Sequence, residues 1–189
     1  MRLVDGAALG FIAYTVPIPI YALGFQLFPR TFRTGARLLV LALAVYALWL
    51  PVVVIAADAI LAARIAAVPA VGIPLAVMAL ALQAWARRTI GSRALSTLPQ
   101  LDPVRYPQPL VARGPYARVR HPRYLGYWLL ALGLALATGL AALGLVLAWL
   151  LAGFAWLAAL EERELVRRFG APYLAYQRLV PRFLMTLIK

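Results

Sequence analysis

The chain has no cysteine and a single histidine, His121, in 189 residues. The first absence excludes a disulfide framework, a thiolate nucleophile and any Cys-based metal site. The second excludes a histidine cluster, so neither a zinc nor a di-iron centre is expected and no metal partner is predicted. Acids are scarce as well, 6 against 19 basic residues, and only one of the basic residues is lysine. The basic character is therefore that of arginine, the better partner for carboxylates and phosphates in tight geometry. Charge as a whole is thin, at 13% of residues, where an ordinary soluble domain has about 25%.

What is abundant is apolar. Hydrophobic residues make up 65%, well above the roughly 45–50% of soluble domains. A soluble protein of this length could not hide so much apolar surface, yet the formal net charge is +13. The two properties are compatible only if they are segregated, with apolar spans in lipid and basic loops at its surface. This argues against a soluble enzyme, a disordered tail and a free nucleic-acid-binding domain, so no nucleic-acid partner is expected. The reading is an all-α, polytopic membrane protein whose first partner is the lipid bilayer.

A helix needs about 20 apolar residues to cross a bilayer. The first predicted span covers about residues 7–28, with a kink at Pro17 and Pro19. It lacks a small-residue cleavage site and is not read as a cleaved signal peptide. The second covers about residues 38–57 with Pro51 inside, and the third about 65–86 with Pro69 and Pro74. After a polar, Arg/Pro/Gly-rich stretch, residues 124–160 carry no charge over 37 positions. That is too long for one span. Thr138-Gly139 near its middle marks a tight hairpin of two helices, about 124–138 and 140–160.

Five spans place the basic residues on alternate sides. Arg30, Arg33 and Arg37 share a side with eight arginines between the third and fourth spans and with six basic residues of the tail, 17 of the 19 in all. Only Arg2 and Arg64 lie on the other. Positive residues stay inside, so the N-terminus is expected outside and the C-terminus in the cytoplasm.

Two polar segments flank the hairpin and meet at the membrane surface. The first runs Arg113-Gly114-Pro115-Tyr116-Ala117-Arg118-Val119-Arg120-His121-Pro122-Arg123-Tyr124-Leu125-Gly126. Pro122 keeps His121 out of helical conformation and suits the first helical position. His121 then lies at the mouth of the fourth span, where free N–H groups, the helix dipole and several arginines favour an anion. A plainer reading is topological: arginines hold the loop inside and His121 caps a helix.

The second segment, residues 161–176, continues the fifth helix past the membrane and ends it near Gly170, with Pro172 beyond. Glu164 has Arg167 and Arg168 at i+3 and i+4, an ordinary surface pair. Glu161 and Glu162 have no such neighbour. They need a partner elsewhere, either the Arg/His loop or a cationic ligand, unless interfacial water solvates them. Asp58, at the outer end of the second span, and Asp102, before Pro103, are read as structural.

The string GPYARVRHPRYLGYWL, followed about 35 residues later by EERELVRRFGAPYLAYQRLVPRF, resembles the isoprenylcysteine carboxyl methyltransferase superfamily of membrane methyltransferases, whose pattern the phospholipid N-methyltransferases share. The paired motifs cover about residues 108–183, and the first three spans match only in hydropathy. The resemblance implies an integral membrane transferase using S-adenosylmethionine and acting on a lipophilic small-molecule or lipid acceptor. It divides the chain into three spans, 1–86, and a cofactor-binding half, 87–189, within one integrated domain. Carried over by position, it implies cofactor contacts at Tyr116, His121, Pro122, Arg123, Tyr124 and Glu161, with Glu162 as the second acid of the pair. Gln108, Leu110 and Val111 would line the adenosine side. No catalytic residue is assigned.

The pattern departs from the prenylcysteine type at Leu157, where that type carries an arginine one turn before the acids. This favours a phospholipid amine or another small lipophilic acceptor. The Arg- and Ala-rich, Lys-poor composition points to a bacterial inner membrane, with the active site facing the cytoplasm. Two other functions fit the residues: an NADPH-dependent membrane reductase of the sterol-reductase type, and a non-enzymatic protein that binds anionic lipid through its basic face.

Overall fold

The computed structural model describes residues 3–28, 35–91 and 107–183. Asp102 and the basic residues Arg2, Arg30, Arg33, Arg93, Arg105 and Lys189 lie outside the described residues. The described chain is all-α and without strands. Its helices are α1 (Leu3–Thr15), α2 (Pro17–Leu27), α3 (Gly35–Ile55), α4 (Ala57–Ala62), α5 (Pro69–Ile90), α6 (Pro122–Thr138), α7 (Ala141–Phe169) and α8 (Ala171–Leu179). A short 3₁₀ turn, Gly114–Ala117, precedes α6.

Prolines set many of these boundaries. The first predicted span is two helices, α1 ending at Thr15 and α2 starting at Pro17 with Pro17 and Pro19 in its first turn. Together α1 and α2 are apolar enough to cross a membrane over Leu3–Gly24. Pro51 lies inside α3 and Pro74 inside α5. Pro69, predicted inside the third span, instead opens α5 from its first turn, where its missing N–H costs nothing. Residues 65–68 therefore do not continue the helix. Ile65 N–H donates to Gly139 O at 2.7 Å and Val68 N–H to Leu136 O at 2.7 Å, which ties this connection to the hairpin turn.

The hairpin forms as expected. Gly139, at φ +71°, ends α6 in the left-handed region that glycine adopts freely. Four segments are long and apolar enough to span a bilayer: Leu3–Gly24, Ala36–Ile55, Pro69–Ile90 and Ala141–Phe169. The fourth predicted span, α6, has 17 residues, about 26 Å of helix, and is the most enclosed apolar helix of the bundle. Gly133 and Gly72 let α5 and α6 touch backbone to backbone. A Cβ on Gly72 would stand 2.6 Å from Gly133 O, and one on Gly133 would stand 2.7 Å from Ala76 N. Small residues at i and i+4 on both helices, Gly72/Ala76 and Gly133/Ala137, permit this approach.

On its other side α6 packs into the main apolar core, with Phe11 and Ile12 of α1, Val53 of α3, and Leu143, Leu150, Phe154 and Leu157 of α7. A second cluster, Tyr173, Tyr176 and Val180 with Leu110, Leu165, Val166 and Phe169, seats α8 against the end of α7 and the loop before α6.

Candidate functional site

The segment before α6 is shaped by local chemistry. Gly114, at φ +60°, rests on the end of α5, where a Cβ would meet Thr89 Oγ1 at 2.9 Å. Pro122 occupies the first turn of α6 and His121 is its non-helical cap residue. Two backbone bonds then strap this loop to the tail: Arg120 N–H to Pro181 O at 2.9 Å, and His121 N–H to Arg182 O at 3.1 Å. Tyr176 Oη donates to Tyr116 O at 2.6 Å and closes the same joint.

The two adjacent acids part company here. Glu162 points into the protein and is 4% exposed. It accepts from Arg120 Nε at 2.9 Å, from Arg182 Nε at 3.0 Å and Nη2 at 2.6 Å, and from Gln177 Nε2 at 3.3 Å. His121 Nε2 lies 3.2 Å from the same carboxylate. The hydrogen bond to Glu162 raises the Arg182 guanidinium above its ordinary pKa, so the pair remains ionic. Glu162 thus ties the loop, α7 and the tail together. Its partner is the Arg/His loop, one of the two alternatives open from the sequence.

Glu161, one residue earlier, faces a cleft. Tyr124 Oη donates to its Oε1 at 2.6 Å, and its Oε2 lies 3.6 Å from His121 Nδ1. The rings of His121 and Tyr124 stack at 5.4 Å, and those of Tyr124 and Phe154 at 4.5 Å, so one aromatic column runs from the cleft into the apolar core. The cleft encloses about 900 Å³ including its open mouth.

Nine of the ten site residues expected from the sequence line this one cleft: Gln108, Leu110, Val111, Tyr116, His121, Pro122, Arg123, Tyr124 and Glu161. The tenth, Glu162, stands behind His121 and lines a different, shallow depression. The cleft wall also holds Leu165, Arg168 and Phe169 of α7 with Tyr173 and Tyr176 of α8, none of them an expected site residue. The first three follow Glu161 at helical spacing, so projecting the face of Glu161 along α7 would have found them. Arg120 lies in the Arg/His loop expected to face the acids, whereas Arg182 and Gln177, the other partners of Glu162, carry no local signal. Glu164 pairs within its helix as expected, its Oε1 3.5 Å from Arg168 Nε.

Two buried polar atoms of the wall, Tyr116 Oη and Arg123 Nε, have no hydrogen-bond partner among the described residues. Burial pushes the Tyr116 hydroxyl up to about 12, with Glu161 adding to the shift and Arg123 opposing it. It is therefore a neutral donor across the physiological range. The first-turn N–H groups of α6 also have no intrahelical acceptor. The wall so presents donors for an anion, one carboxylate for a cation or hydroxyl, and aromatic and aliphatic surface for a flat apolar group. Among the described residues no group of three or more His, Cys, Asp or Glu converges as a metal site would require.

Comparison with known proteins adds the family. Residues 67–172 match the family described as phospholipid methyltransferase, more than half of the chain and including α5 through the start of α8. No curated protein and no solved structure gives a match.

Proposed function

The chain belongs to the phospholipid methyltransferase family, and from that premise we propose that the cleft binds S-adenosylmethionine and serves methyl transfer to a lipophilic acceptor. The cofactor supplies a methyl group on a sulfonium, open to in-line displacement by a nucleophile. Arg123 and the first-turn N–H groups of α6 suit its carboxylate. Glu161 suits its ammonium or a ribose hydroxyl, and Tyr124 and His121 hold Glu161 in place. Gln108, Leu110 and Val111 form the side suited to adenosine. Glu162 acts one step removed, as the residue that positions His121 and Arg120.

A reaction of this kind needs alignment and exclusion of water more than a strong acid or base. The aromatic column of His121, Tyr124 and Phe154 provides a rigid, dry wall. The observation that carries the reading is a single cleft in which one carboxylate faces unpartnered Tyr116 Oη and Arg123 Nε. Leu157 is 2% exposed and packed in the apolar core. No cation stands there to grip an acceptor carboxylate, which favours the amine of a phospholipid over a prenylcysteine carboxyl. The one-sided distribution of 17 basic residues supports a cleft that faces the cytoplasm, in a bacterial plasma membrane.

Binding of labelled S-adenosylmethionine to the purified full-length chain tests this. Saturable binding that weakens in His121→Ala and Glu161→Gln, with helical content unchanged, is the expected result. Absence of binding, or binding indifferent to both substitutions, overturns it.

A further inference from the structure

Helix α7 presents a second face. The cleft takes Glu161, Leu165, Arg168 and Phe169. Roughly opposite them, positions 149, 152, 156, 159, 163 and 167 follow one another at steps of three and four and so form one stripe. Its lower part is Trp149, Ala152 and Trp156, all exposed. Its upper part is Arg163 and Arg167, also exposed, flanking a depression lined by Ala159, Glu162, Val166, Gln177 and Arg182.

This depression is strongly cationic. Glu162 is its only acid, and that carboxylate is buried and already engaged by Arg120 and Arg182. Arg182 is held in the wall by two bonds to Glu162. Among the described residues, Arg163 and Arg167 form no side-chain hydrogen bond or ion pair. Three guanidiniums therefore converge with little local compensation, and Gln177 stands beside them as a further polar group.

The depth is equally specific. Leu160 ends the uncharged stretch, so Ala159 and Arg163 straddle the boundary between hydrocarbon and headgroup. Trp156, 54% exposed one turn below, is the residue type that settles at that boundary. A ligand with phosphate beside Arg163, Arg167 and Arg182 and acyl chain along Trp156, Ala152 and Trp149 matches the whole stripe. We propose that this face of α7 is a binding site for an anionic phospholipid, separate from the cleft. Basic pockets at the membrane surface take such headgroups, and arginine grips phosphate in paired geometry.

The test uses the full-length chain in detergent micelles, with phosphatidylglycerol brominated on its acyl chains as a quencher of tryptophan fluorescence. The wild-type chain is expected to bind phosphatidylglycerol more tightly than phosphatidylcholine of the same chains. In the double variant Arg163→Gln/Arg167→Gln the affinity should fall about 25-fold, at about fivefold for each arginine facing an anionic headgroup. Arg163→Lys/Arg167→Lys should keep the preference, and both variants should bind S-adenosylmethionine as the wild type does. Equal affinity for the two lipids, or no loss in the glutamine variant, overturns the proposal. If glycerol 1-phosphate displaces the lipid at similar concentration, the site serves a soluble phosphate and the lipid assignment fails. Should the glutamine variant not fold, the lipid preference of the wild type and of the lysine variant decides alone.

Discussion

At the scale of the residue, Glu161 and Glu162 differ by one position and by the whole of their surroundings. Four donor atoms of Arg120, Arg182 and Gln177 bond Glu162, His121 Nε2 lies beside it, and Arg120 and His121 expose only 11% and 6% of their side chains. Removing the carboxylate strands those groups. Glu162→Ala should therefore cost about 3 kcal/mol or more, since breaking a buried pair leaves an uncompensated charge, and should be read as a lowered unfolding midpoint. Glu161 has one short bond, from Tyr124, and faces the cleft. Glu161→Gln should leave the unfolding midpoint nearly unchanged and lower cofactor affinity by about tenfold, the worth of a hydrogen bond to a charged group. Tyr124→Phe should reproduce part of that loss, because Glu161 then loses the donor that orients it. Titration of labelled cofactor against the three variants separates the two roles. Equal loss of stability in the Glu161 and Glu162 variants would contradict the division.

At the scale of the element, the contact between α5 and α6 controls where the site sits. Gly72 and Gly133 bring the two backbones together, and α6 carries His121, Pro122, Arg123 and Tyr124 at its mouth. Gly72→Val or Gly133→Val puts atoms where Ala137 or Ala76 backbone already stands. The helices must part, at about 3 kcal/mol or more given the usual cost of overpacking. Thermal unfolding in detergent should show a large drop for both. Gly10→Ala and Gly144→Ala, where a Cβ meets nothing within 4 Å, should fold as the wild type does. The existence of these helices is legible from hydropathy and the ends of α6 and α7 from Gly139 and Gly170, whereas Pro17 reads as a kink and instead starts a separate helix. The late start of α5 is not legible. Both Ile65 and Pro69 belong to an apolar run, and the bonds that hold 65–68 extended come from Leu136 and Gly139, far away in the chain.

At the scale of the whole molecule, one ion pair at the end opposite the cleft ties three distant segments. Asp5 of α1, 4% exposed, accepts from Arg64 Nη1 and Nη2 at 3.3 and 3.1 Å, while Arg64 Nη1 also donates to Thr138 O at 3.1 Å. In the sequence Arg64 stands out only as one of two basic residues on the sparse side, and Asp5 carries no local signal. Asp5→Asn should lower stability by about 2 kcal/mol, discounted for the half-exposed arginine, as a buried acceptor is weakened against a charged donor. Cofactor affinity should stay unchanged, because the pair lies at the far end of α6. Parallel measurement of the unfolding midpoint and of cofactor binding checks this. A change in binding would mean that the two ends of the bundle are coupled.

Composition and hydropathy alone imply an all-α chain of membrane-spanning helices, since 65% apolar content in runs of about 20 residues admits few other arrangements. The sequence also determined which loops meet, because a hairpin returns its ends to one surface whatever its packing. Which acid faces the cleft, and which is consumed by Arg120, Arg182 and His121, follows from helix packing. The reason is physical: consecutive positions on a helix point about 100° apart, and nothing local to Glu161 or Glu162 says how α7 is rotated against α6 and α8. That rotation is set by the packing of Phe154, Leu157 and Leu150 in the core and of Tyr173 and Tyr176 outside it. The same rotation turns Arg163 and Arg167 away from the cleft.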